Sequence, residues 1–346
     1  MRHKIMDFRS DTVTRPSEEM RRVIASAEVG DDIYGDDPSS NELCEYAAEM
    51  TGKEAAIYAC SGTMGNLLAF ATAGRHGESV LAGRRSHVWC SEVGGLSAIA
   101  GLCPYPLDDD GGIPAPEELS AASRADGDIH HAQTTMLALE NTHNYAGGIA
   151  VPPDKFAATA REGRRLGFHV HLDGARIFNA AVRHGVPVDV YAKEVDSLQF
   201  CLSKGLGAPL GSMLCGTREF IEEARRWRKR LGGAQRQLGI AAAAGLYALK
   251  NNVARLAEDH ENAALLARLL KAGGVGVEEA ENMTNMLFFP LKEGQISDAE
   301  FEAKCLEKGL LAHAISPRRI RLVTHLDVER EDVVRAAQII LEVLSA

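Results

Sequence analysis

Short apolar runs alternate with longer helical patterns between about residues 55 and 245 of this chain. Several of these runs, such as Ala55–Tyr58, are too uniformly apolar to have one face in water. Strands of that kind are typical of a parallel sheet that helices cover on both faces. The order of runs and helices predicts an α/β fold whose large domain has a mostly parallel seven-stranded sheet sandwiched by helices.

The same pattern divides the chain into two regions. After about residue 246, a long helical stretch over Leu246–Ala272 leads to shorter strand-like segments such as Met286–Phe289 and Ile320–Thr324. A chain of 346 residues exceeds most single cores. We therefore expect a large domain over residues 1–245, with an N-terminal arm, and a smaller C-terminal α+β domain over residues 246–346. The predicted strands of the large domain are Ala55–Tyr58, Ser79–Ala82, Leu102–Pro106, Thr135–Glu140, Phe168–Leu172, Ser197–Leu202 and Ser212–Cys215, and its predicted helices include Asn41–Met50, Thr63–Ala73, Pro116–Ser123, Asp154–Arg164 and Arg218–Arg230.

Charge and composition exclude several classes of partner. The net charge of −10 at pH 7 argues against a general nucleic-acid binder, because phosphate backbones require a positive surface. No apolar segment approaches the roughly 20 residues of a membrane span, and the N-terminal residues show no export signal. The seven cysteines are odd in number and scattered through apolar runs, which indicates reduced thiols. We therefore expect a cytoplasmic protein with neither a nucleic-acid nor a membrane partner.

Lys204 and Asp173 follow apolar runs at positions that suit cofactor chemistry. Lys204 stands in a glycine-rich turn after Ser197–Leu202, and Asp173 ends the preceding run. A lysine whose pKa is lowered by desolvation and cationic neighbours can attack an aldehyde as the free amine. An aspartate on the neighbouring strand can balance the charge of a protonated pyridine nitrogen. The pair predicts a pyridoxal phosphate site at the carboxyl ends of the strands.

Other polar residues near predicted strands and helices are candidates for ligand binding. Ser61, Gly62 and Thr63 open a helix, where free backbone amides favour a phosphate. Taken alone, the same residues fit an ordinary helix cap. His87 follows a strand and is a candidate to stack on a flat aromatic ring. The basic run Arg225–Arg230 fits a solvated helix face and a binding site about equally.

The segment HVHLD places His169, His171 and Asp173 on one face of a strand. Two imidazoles and a carboxylate could ligate a metal, which would indicate a metal-dependent hydrolase. Successive residues on one face stand about 7 Å apart, so three of them rarely converge on one ion. We favour the interpretation in which Asp173 alone acts, the two histidines pack or form hydrogen bonds, and no metal is bound.

Eight motifs follow one another in order along nearly the whole chain. They are RSDTVTRP (9–16), EVGDDIYGDDP (28–38), SGTMGN (61–66), SHVWCSEVGG (86–95), LENTHN (139–144), HLDGARIFNA (171–180), CLSKGLGAPLGS (201–212) and IRLVTH (320–325). Together they resemble the low-specificity L-threonine aldolases, which are pyridoxal phosphate enzymes of the aspartate-aminotransferase-like fold, fold type I. The chain departs from that family at Ser91, where many relatives have an aromatic residue, and at GGAQRQ (232–237), which reads GGGMRQ in relatives. Both departures bear on side-chain preference.

The resemblance implies a role for each candidate residue. Lys204 would bind the cofactor covalently, Asp173 would pair with its ring nitrogen, and His87 would stack on its ring. Either His87 or His130 would act as the base that removes the β-hydroxyl proton. The remaining contacts would be phosphate binding by Ser61, Gly62 and Thr63, substrate binding by Ser10, Tyr34, Arg176 and Arg321, and cofactor binding by Arg176 and, from a neighbouring subunit, by Lys229 and Arg236.

The resemblance also implies a reaction and an assembly. The enzyme would cleave the Cα–Cβ bond of L-threonine, L-allo-threonine and related β-hydroxy-α-amino acids, giving glycine and an aldehyde. It would form a homotetramer with its sites at a dimer interface. Another enzyme of the same fold, such as a β-eliminating lyase, a racemase or an aminotransferase, would use much the same lysine and aspartate. That alternative stays open from the sequence, as does the less favoured metal-dependent hydrolase.

Overall fold

The structure is a computed structural model that describes residues 5–345. Within these residues the strands are β1 (Met6–Asp7), β2 (Ala55–Ala59), β3 (Ser79–Gly83), β4 (Cys103–Leu107), β5 (Thr134–Glu140), β6 (His169–Asp173), β7 (Ser197–Cys201), β8 (Ser212–Gly216), β9 (Met286–Pro290), β10 (Leu310–Leu311), β11 (His313–Ser316) and β12 (Arg319–Val323). The helices are α1 (Glu18–Ala25), α2 (Pro38–Thr51), α3 (Gly62–Ala73), α4 (His87–Cys90), α5 (Gly95–Ala98), α6 (Pro116–Ala122), α7 (Pro153–Arg165), α8 (Ile177–His184), α9 (Asp189–Ala192), α10 (Arg218–Arg230), α11 (Gly239–Asn251), α12 (Leu256–Ala272), α13 (Asp298–Glu307) and α14 (Arg330–Ser345). None of these helices combines the length and the apolar character that a membrane span requires.

The large sheet contains seven strands in the order β2-β8-β7-β6-β5-β3-β4. Its neighbouring strands run parallel except where β8 is one of the pair. The predicted mostly parallel seven-stranded sheet between helices is therefore confirmed. The register places Glu140 opposite Asp173, and Asp173 opposite Gln199. Polar residues of β5, β6 and β7 consequently meet at the carboxyl edge of the sheet.

Alternating residues along the strands supply two cores, one on each face of the large sheet. Leu137 of β5 shares a core with Phe156 of α7. Its neighbours Met136 and Ala138 share a different core with Phe70 of α3. Because side chains alternate between faces, each central strand is buried on both sides. Burial of each large apolar side chain contributes about 1.5–3 kcal/mol, so the strands give the carboxyl edge a stable support.

A separate core lies around the smaller sheet of β11, β12 and β9, whose strands are antiparallel. Met6 and Phe8 join this core from the N-terminal segment, and β1 pairs with β10 in parallel. The core that contains Leu137 includes residues as far along the chain as Leu256, and the core of the smaller sheet includes residues from Leu266 onward. The predicted domain boundary at residue 245, which lies within α11, stays a prediction.

The prediction of one long helix over Leu246–Ala272 is wrong. Two helices cover this stretch, because α11 ends at Asn251 and α12 begins at Leu256. Asn252 follows α11, and its buried side-chain amide donates a hydrogen bond to the carbonyl of Leu206 at 2.7 Å. Asparagine side chains compete with helical hydrogen bonding, which favours a break at this residue. The break also links α11 to the turn that carries Lys204.

Candidate active site

A cavity of about 190 Å³ opens at the carboxyl edge of the large sheet. Ligands of open α/β sheets bind in this position. The cavity is lined by Ser61, Gly62, Thr63, Asn66, His87, Glu92, Asp173, Ala175, Gln199, Cys201, Ser203 and Lys204. The structure therefore brings Lys204, Asp173 and His87 together with the predicted phosphate-binding segment at the start of α3.

Lys204 is held in a tight turn between β7 and β8. The carbonyl of Lys204 accepts a hydrogen bond from the amide of Gly207 at 2.8 Å, and the amide of Leu202 donates to the carbonyl of Gly211 at 2.9 Å. Gly207 has a φ of 81°, a conformation that glycine adopts without strain. The glycine-rich turn after β7 thus places Lys204 in the lining of the cavity.

Asp173 is the last residue of β6, and its buried carboxylate accepts several hydrogen bonds. Its Oδ1 accepts hydrogen bonds from Gln199 Nε2 at 2.5 Å and from the amide of Ala175 at 3.1 Å. Its Oδ2 accepts from Asn66 Nδ2 at 3.0 Å. Burial opposes ionisation, but the positive charges of His87 and Lys204, with the bonds from Asn66 and Gln199, hold the pKa of Asp173 below its usual range. Asp173 is therefore a carboxylate at neutral pH.

His87 begins α4 between two carboxylates. Its backbone amide donates to Glu140 Oε2 at 2.7 Å, and its Nδ1 lies 3.0 Å from Glu92 Oε1. Burial opposes the imidazolium, but the hydrogen bond to Glu92 and the charges of Asp173, Glu92 and Glu140 raise the pKa of His87. Burial and the nearby Asp173 also raise the pKa of Glu92. His87 and Glu92 can therefore share one proton, and the imidazole Nε2 is left for a ligand.

The start of α3 packs closely against β7. Ser61 caps the helix, since its side chain accepts a hydrogen bond from the amide of Met64 at 3.1 Å. A Cβ atom on Gly62 would lie 2.7 Å from Cys201 Sγ, so a side chain at this position would displace the helix. The close approach presents the free amides at the start of α3 to the cavity, where they can bind an anion.

Arg176 lies beside the cavity in a buried ion pair with Asp11. Its Nε and Nη2 donate to the two carboxylate oxygens of Asp11 at 2.7 and 2.6 Å. Burial opposes the charge on Asp11, but Arg176, Lys204 and Arg321 hold the pKa of Asp11 well below its usual range. Ser10, a predicted substrate contact, caps the 3₁₀ turn that carries Asp11. Arg176 therefore gives two of its donors to the protein itself.

Arg321 of β12 reaches across from the smaller sheet. Its Nη1 donates to Asn144 Oδ1 at 3.1 Å and its Nη2 to the carbonyl of Arg9 at 3.1 Å. Its Nε is buried and finds no hydrogen-bond partner within residues 5–345. A buried donor without a partner costs about 1–3 kcal/mol, which favours a site that a ligand completes.

Sequence similarity now places the chain among known enzymes. Residues 7–293 match the Beta-eliminating lyase family. The low-specificity L-threonine aldolase of Escherichia coli (strain K12) is 45% identical over 335 residues, which cover 96% of this chain and 97% of that protein. The chain belongs to the low-specificity L-threonine aldolase family. The predicted resemblance is confirmed.

Two further similarities extend this assignment. Low-specificity L-threonine aldolase 1 of Arabidopsis thaliana is 41% identical over 333 residues, which cover 95% of this chain and 93% of that protein. A solved structure of the threonine aldolase of Leishmania major superimposes with a TM-score of 0.84 at 20% identity, covering 99% of this chain and 100% of that one. This structural similarity confirms the predicted fold, fold type I.

Seven residues predicted for the site of this low-specificity L-threonine aldolase family member are not in the lining of the cavity. Three of them, Ser10, Arg176 and Arg321, form the contacts described above, and the other four are Tyr34, Lys229, Arg236 and His130. Tyr34 is 77% exposed. Lys229 and Arg236 are exposed, and Arg236 Nη1 lies 3.0 Å from Asp31 Oδ2. His130 precedes β5, at the amino edge of the sheet, and β5 spans roughly 20 Å over its seven residues. His130 therefore does not reach the cavity of its own chain, and roles for these four residues stay predictions.

Four polar residues of the site escape the sequence prediction. Asp11, Asn66 and Glu92 all lie within the motifs shared with the low-specificity L-threonine aldolases. Gln199 is a polar residue in the middle of an apolar strand. A buried charged or amide side chain needs hydrogen-bond partners. A polar residue inside an apolar run, or next to a predicted site residue, is therefore the sequence signal that could have identified these four residues.

The basic run Arg225–Arg230 closes α10, and most of it is a solvated face. Arg228 is the buried member, with 1% of its surface exposed. Its Nη1 donates to the carbonyl of Tyr58 at 3.1 Å, and its Nη2 pairs with the Asp32 carboxylate. Arg228 thus ties α10 to β2 and to the segment that carries Tyr34.

Replacing Arg228 with methionine should lower the free energy of unfolding by about 3–5 kcal/mol, because the buried Asp32 carboxylate then loses its ion-pair partner and is left with the hydrogen bond from the Ser40 hydroxyl. Urea denaturation followed by circular dichroism measures the change. Arg226→Met is the matched control, since Arg226 is exposed and lies 3.6 Å from Glu223. Its effect should stay within about 0.5 kcal/mol. Equal stability of Arg228→Met and the wild type would contradict this account of the pair.

Proposed function

We propose that this chain is a pyridoxal phosphate-dependent lyase that cleaves L-threonine, L-allo-threonine and related β-hydroxy-α-amino acids to glycine and an aldehyde. One observation carries the proposal: Lys204 and an ionised Asp173 line the same cavity. The chain that holds them is 45% identical, over 96% of its length, to a named low-specificity L-threonine aldolase.

The residues of the cavity fit pyridoxal phosphate. The start of α3, with Ser61, Gly62 and Thr63, suits its phosphate, and Lys204 supplies an amine. Asp173 Oδ2 accepts one bond from Asn66, and a carboxylate oxygen has a second lone pair for a ring N–H. When bound, the cofactor supplies an aldehyde that bonds covalently to amines and a ring that accepts the electron pair released at Cα.

We assign the substrate carboxylate to Arg321, because its buried Nε lacks a partner among the described residues. Asn144 and the carbonyl of Arg9 fix the guanidinium, so the carboxylate meets a donor that is already oriented. Arg176, fixed by Asp11, adds positive charge on the same side. A carboxylate held by these arginines near the plane of the cofactor ring would leave the Cα–Cβ bond perpendicular to that plane, the orientation in which this bond can be broken.

We assign the removal of the β-hydroxyl proton to His87. Glu92 holds Nδ1, so Nε2 is the atom that receives the proton. The arrangement resembles other acid–base sites in which a carboxylate orients an imidazole. His130 stays the second candidate predicted from sequence, although it lies at the other edge of its own sheet.

The pH dependence of the reaction should show the protonation of His87. A base must be neutral, so kcat/KM should fall on the acid side as His87 takes up a proton. The fall should be centred above pH 6.5, because neighbouring carboxylates raise the pKa of His87 from that value. His87→Asn should remove this acid limb and lower kcat by about 10²–10⁴-fold, the usual contribution of a general base. Steady-state rates of glycine formation between about pH 5 and 9 measure both effects.

His130→Asn, assayed in the same way on threonine and phenylserine, tests the second candidate. His313→Gln is the control, since His313 is exposed in β11 of the smaller sheet. If neither His87→Asn nor His130→Asn shows a specific decrease in the rate of aldol cleavage of these substrates, then the base is not a histidine.

The proposed function is tested directly on the purified protein with pyridoxal phosphate. We expect a visible absorption band and the release of glycine from both L-threonine and L-allo-threonine. Ammonia or a keto acid in place of glycine would identify a β-eliminating lyase or an aminotransferase and overturn the proposal. A colourless protein whose activity is lost with a chelator would identify a metal-dependent hydrolase.

We also propose a cytoplasmic homotetramer with its sites at a dimer interface. Exposed apolar side chains support an interface, and they include Tyr34, Val93 and Ile129. Lys229 and Arg236 would then reach the cofactor site of a neighbouring subunit. All seven cysteines are free, in keeping with a reducing compartment. Light scattering on a sizing column measures the assembly, and a monomeric active enzyme would contradict it.

A further inference from the structure

A buried chain of hydrogen bonds runs beneath the cavity. His169 Nε2 lies 2.8 Å from Ser197 Oγ, and Ser197 Oγ lies 2.9 Å from His171 Nδ1. His171 Nε2 lies 3.1 Å from Asn66 Oδ1. The chain therefore connects the amino end of β6 to α3 through the two histidines of the HVHLD segment, which the catalytic roles above do not use.

Asn66 joins this chain to the two carboxylates of the site. Its Nδ2 lies 2.8 Å from Glu92 Oε1 and 3.0 Å from Asp173 Oδ2. Two carboxylates that share one site repel each other, and a donor between them offsets part of that repulsion. The amide can do this in one orientation only, with its nitrogen toward the carboxylates and its oxygen toward His171.

The direction of every bond in the chain follows from that orientation. Asn66 Oδ1 can only accept, so His171 must carry its proton on Nε2. His171 Nδ1 is then an acceptor, so the Ser197 hydroxyl must donate to it. The Ser197 oxygen in turn accepts from His169 Nε2–H. Burial lowers the pKa of His171 to about 3, so this imidazole stays neutral with one donor and one acceptor.

We propose that Ser197 and His171 are positioning residues, which set the orientation of the Asn66 amide so that its nitrogen holds Asp173 and Glu92. In this way they keep Asp173 able to hold the proton of the cofactor ring nitrogen. The second half of this inference rests on the proposed function; the first half concerns the protein alone.

Burial leaves the chain no substitute donors. Ser197 and His171 are 0% exposed and Asn66 is 1% exposed. Without the Ser197 hydroxyl, His171 can carry its proton on Nδ1 instead. Its Nε2 is then an acceptor that faces Asn66 Oδ1, and the repulsion between the two acceptors favours a turn of the amide. The turned amide would place its oxygen beside the carboxylates of Asp173 and Glu92. Three hydrogen-bond acceptors would then lie together and repel one another. The lost bond and this repulsion should then raise the pKa of Asp173, so that the carboxylate takes the proton of the ring nitrogen in part of the molecules.

The first experiment measures the proton position in the wild-type protein without cofactor. Nitrogen-15 NMR of labelled histidine should show His171 neutral, with its proton on Nε2, between about pH 5 and 8. A proton on Nδ1 would overturn the inference, whatever the protein catalyses. This measurement needs no variant, so it stands even if a substitution prevents folding.

The second experiment uses pyridoxal phosphate labelled with nitrogen-15 in its ring. The ring nitrogen should be protonated in the wild type and in Ser197→Thr, which keeps a hydroxyl, and should lose its proton in part of the Ser197→Ala molecules. The dissociation constant of the cofactor should rise about tenfold in Ser197→Ala, the effect of one lost hydrogen bond. Ser79→Ala is the matched control, because Ser79 is a buried strand serine of the same sheet that bonds the Cys103 carbonyl.

The outcomes separate this inference from the proposed function. An unchanged ring nitrogen in Ser197→Ala, or the same change in Ser79→Ala, overturns the positioning role. A wild-type protein that binds the cofactor but forms no glycine contradicts the proposed reaction and leaves both NMR measurements valid. A wild-type protein that binds no cofactor contradicts the proposed function and the ring-nitrogen role, while the proton position on His171 still decides the orientation of Asn66.

Discussion

Replacing Lys204 with alanine should abolish the release of glycine from threonine, with a loss in kcat of at least about 10³-fold. Lys204 stands in a turn fixed by Gly207 and lines the cavity together with Asp173. It is the amine of that lining, so its removal takes away the group that bonds the cofactor covalently. Borohydride reduction of the wild type, followed by mass spectrometry, should find the cofactor attached to the peptide that contains Lys204.

The control for this experiment is Lys193→Ala, since Lys193 is exposed at the end of α9. That variant should keep wild-type turnover and the same labelled peptide. A Lys204→Ala protein with full activity, or a reduced cofactor attached to a different lysine, would contradict the assignment. The structure would then need another amine near Asp173, and the described lining of the cavity holds none.

The sequence predicts the framework of the site because the ends of the strands can be recognised from the order of the residues. The apolar runs over β5, β6 and β7 are short, and each gives way to polar or glycine-rich residues. In a parallel sheet the carboxyl ends of the strands lie at one edge, so the sequence alone predicts that Asp173 and Lys204 are close together. The start of α3 follows from the same reasoning, since a Ser-Gly-Thr segment after a strand predicts a helix start.

The rest of the site depends on contacts between residues far apart in the chain. Asp11 pairs with Arg176, 165 positions away, and Arg228 pairs with Asp32, 196 positions away. The charge of the basic run Arg225–Arg230 fits a solvated face and a binding site about equally, and only the packing of the chain shows that Arg228 is buried. The location of His130 at the amino edge likewise follows from the course of the chain and not from its residue type.

Replacing Asp173 with asparagine should lower kcat by about 10²–10⁴-fold, the range expected when one proton-holding group is lost, and should change KM much less. Asparagine has nearly the same shape but no charge, so it cannot hold the proton on the ring nitrogen. The wild-type carboxylate stays ionised from about pH 5 to 9, because its pKa lies below the usual value. An acid limb in that range therefore does not come from Asp173. Steady-state kinetics and the visible spectrum of the bound cofactor measure the effect.

Asp189→Asn is the matched control, since Asp189 is exposed at the start of α9 and should leave kcat unchanged. The size of the Asp173→Asn effect also distinguishes two roles for this residue. A carboxylate that only packs against Gln199 and Asn66 would show lower stability and normal kcat when neutralised. A carboxylate that holds the ring proton shows a large loss in kcat, whatever the change in stability. An Asp173→Asn enzyme with wild-type kcat would therefore exclude the second role and, with it, the part that Ser197 and His171 play in the reaction.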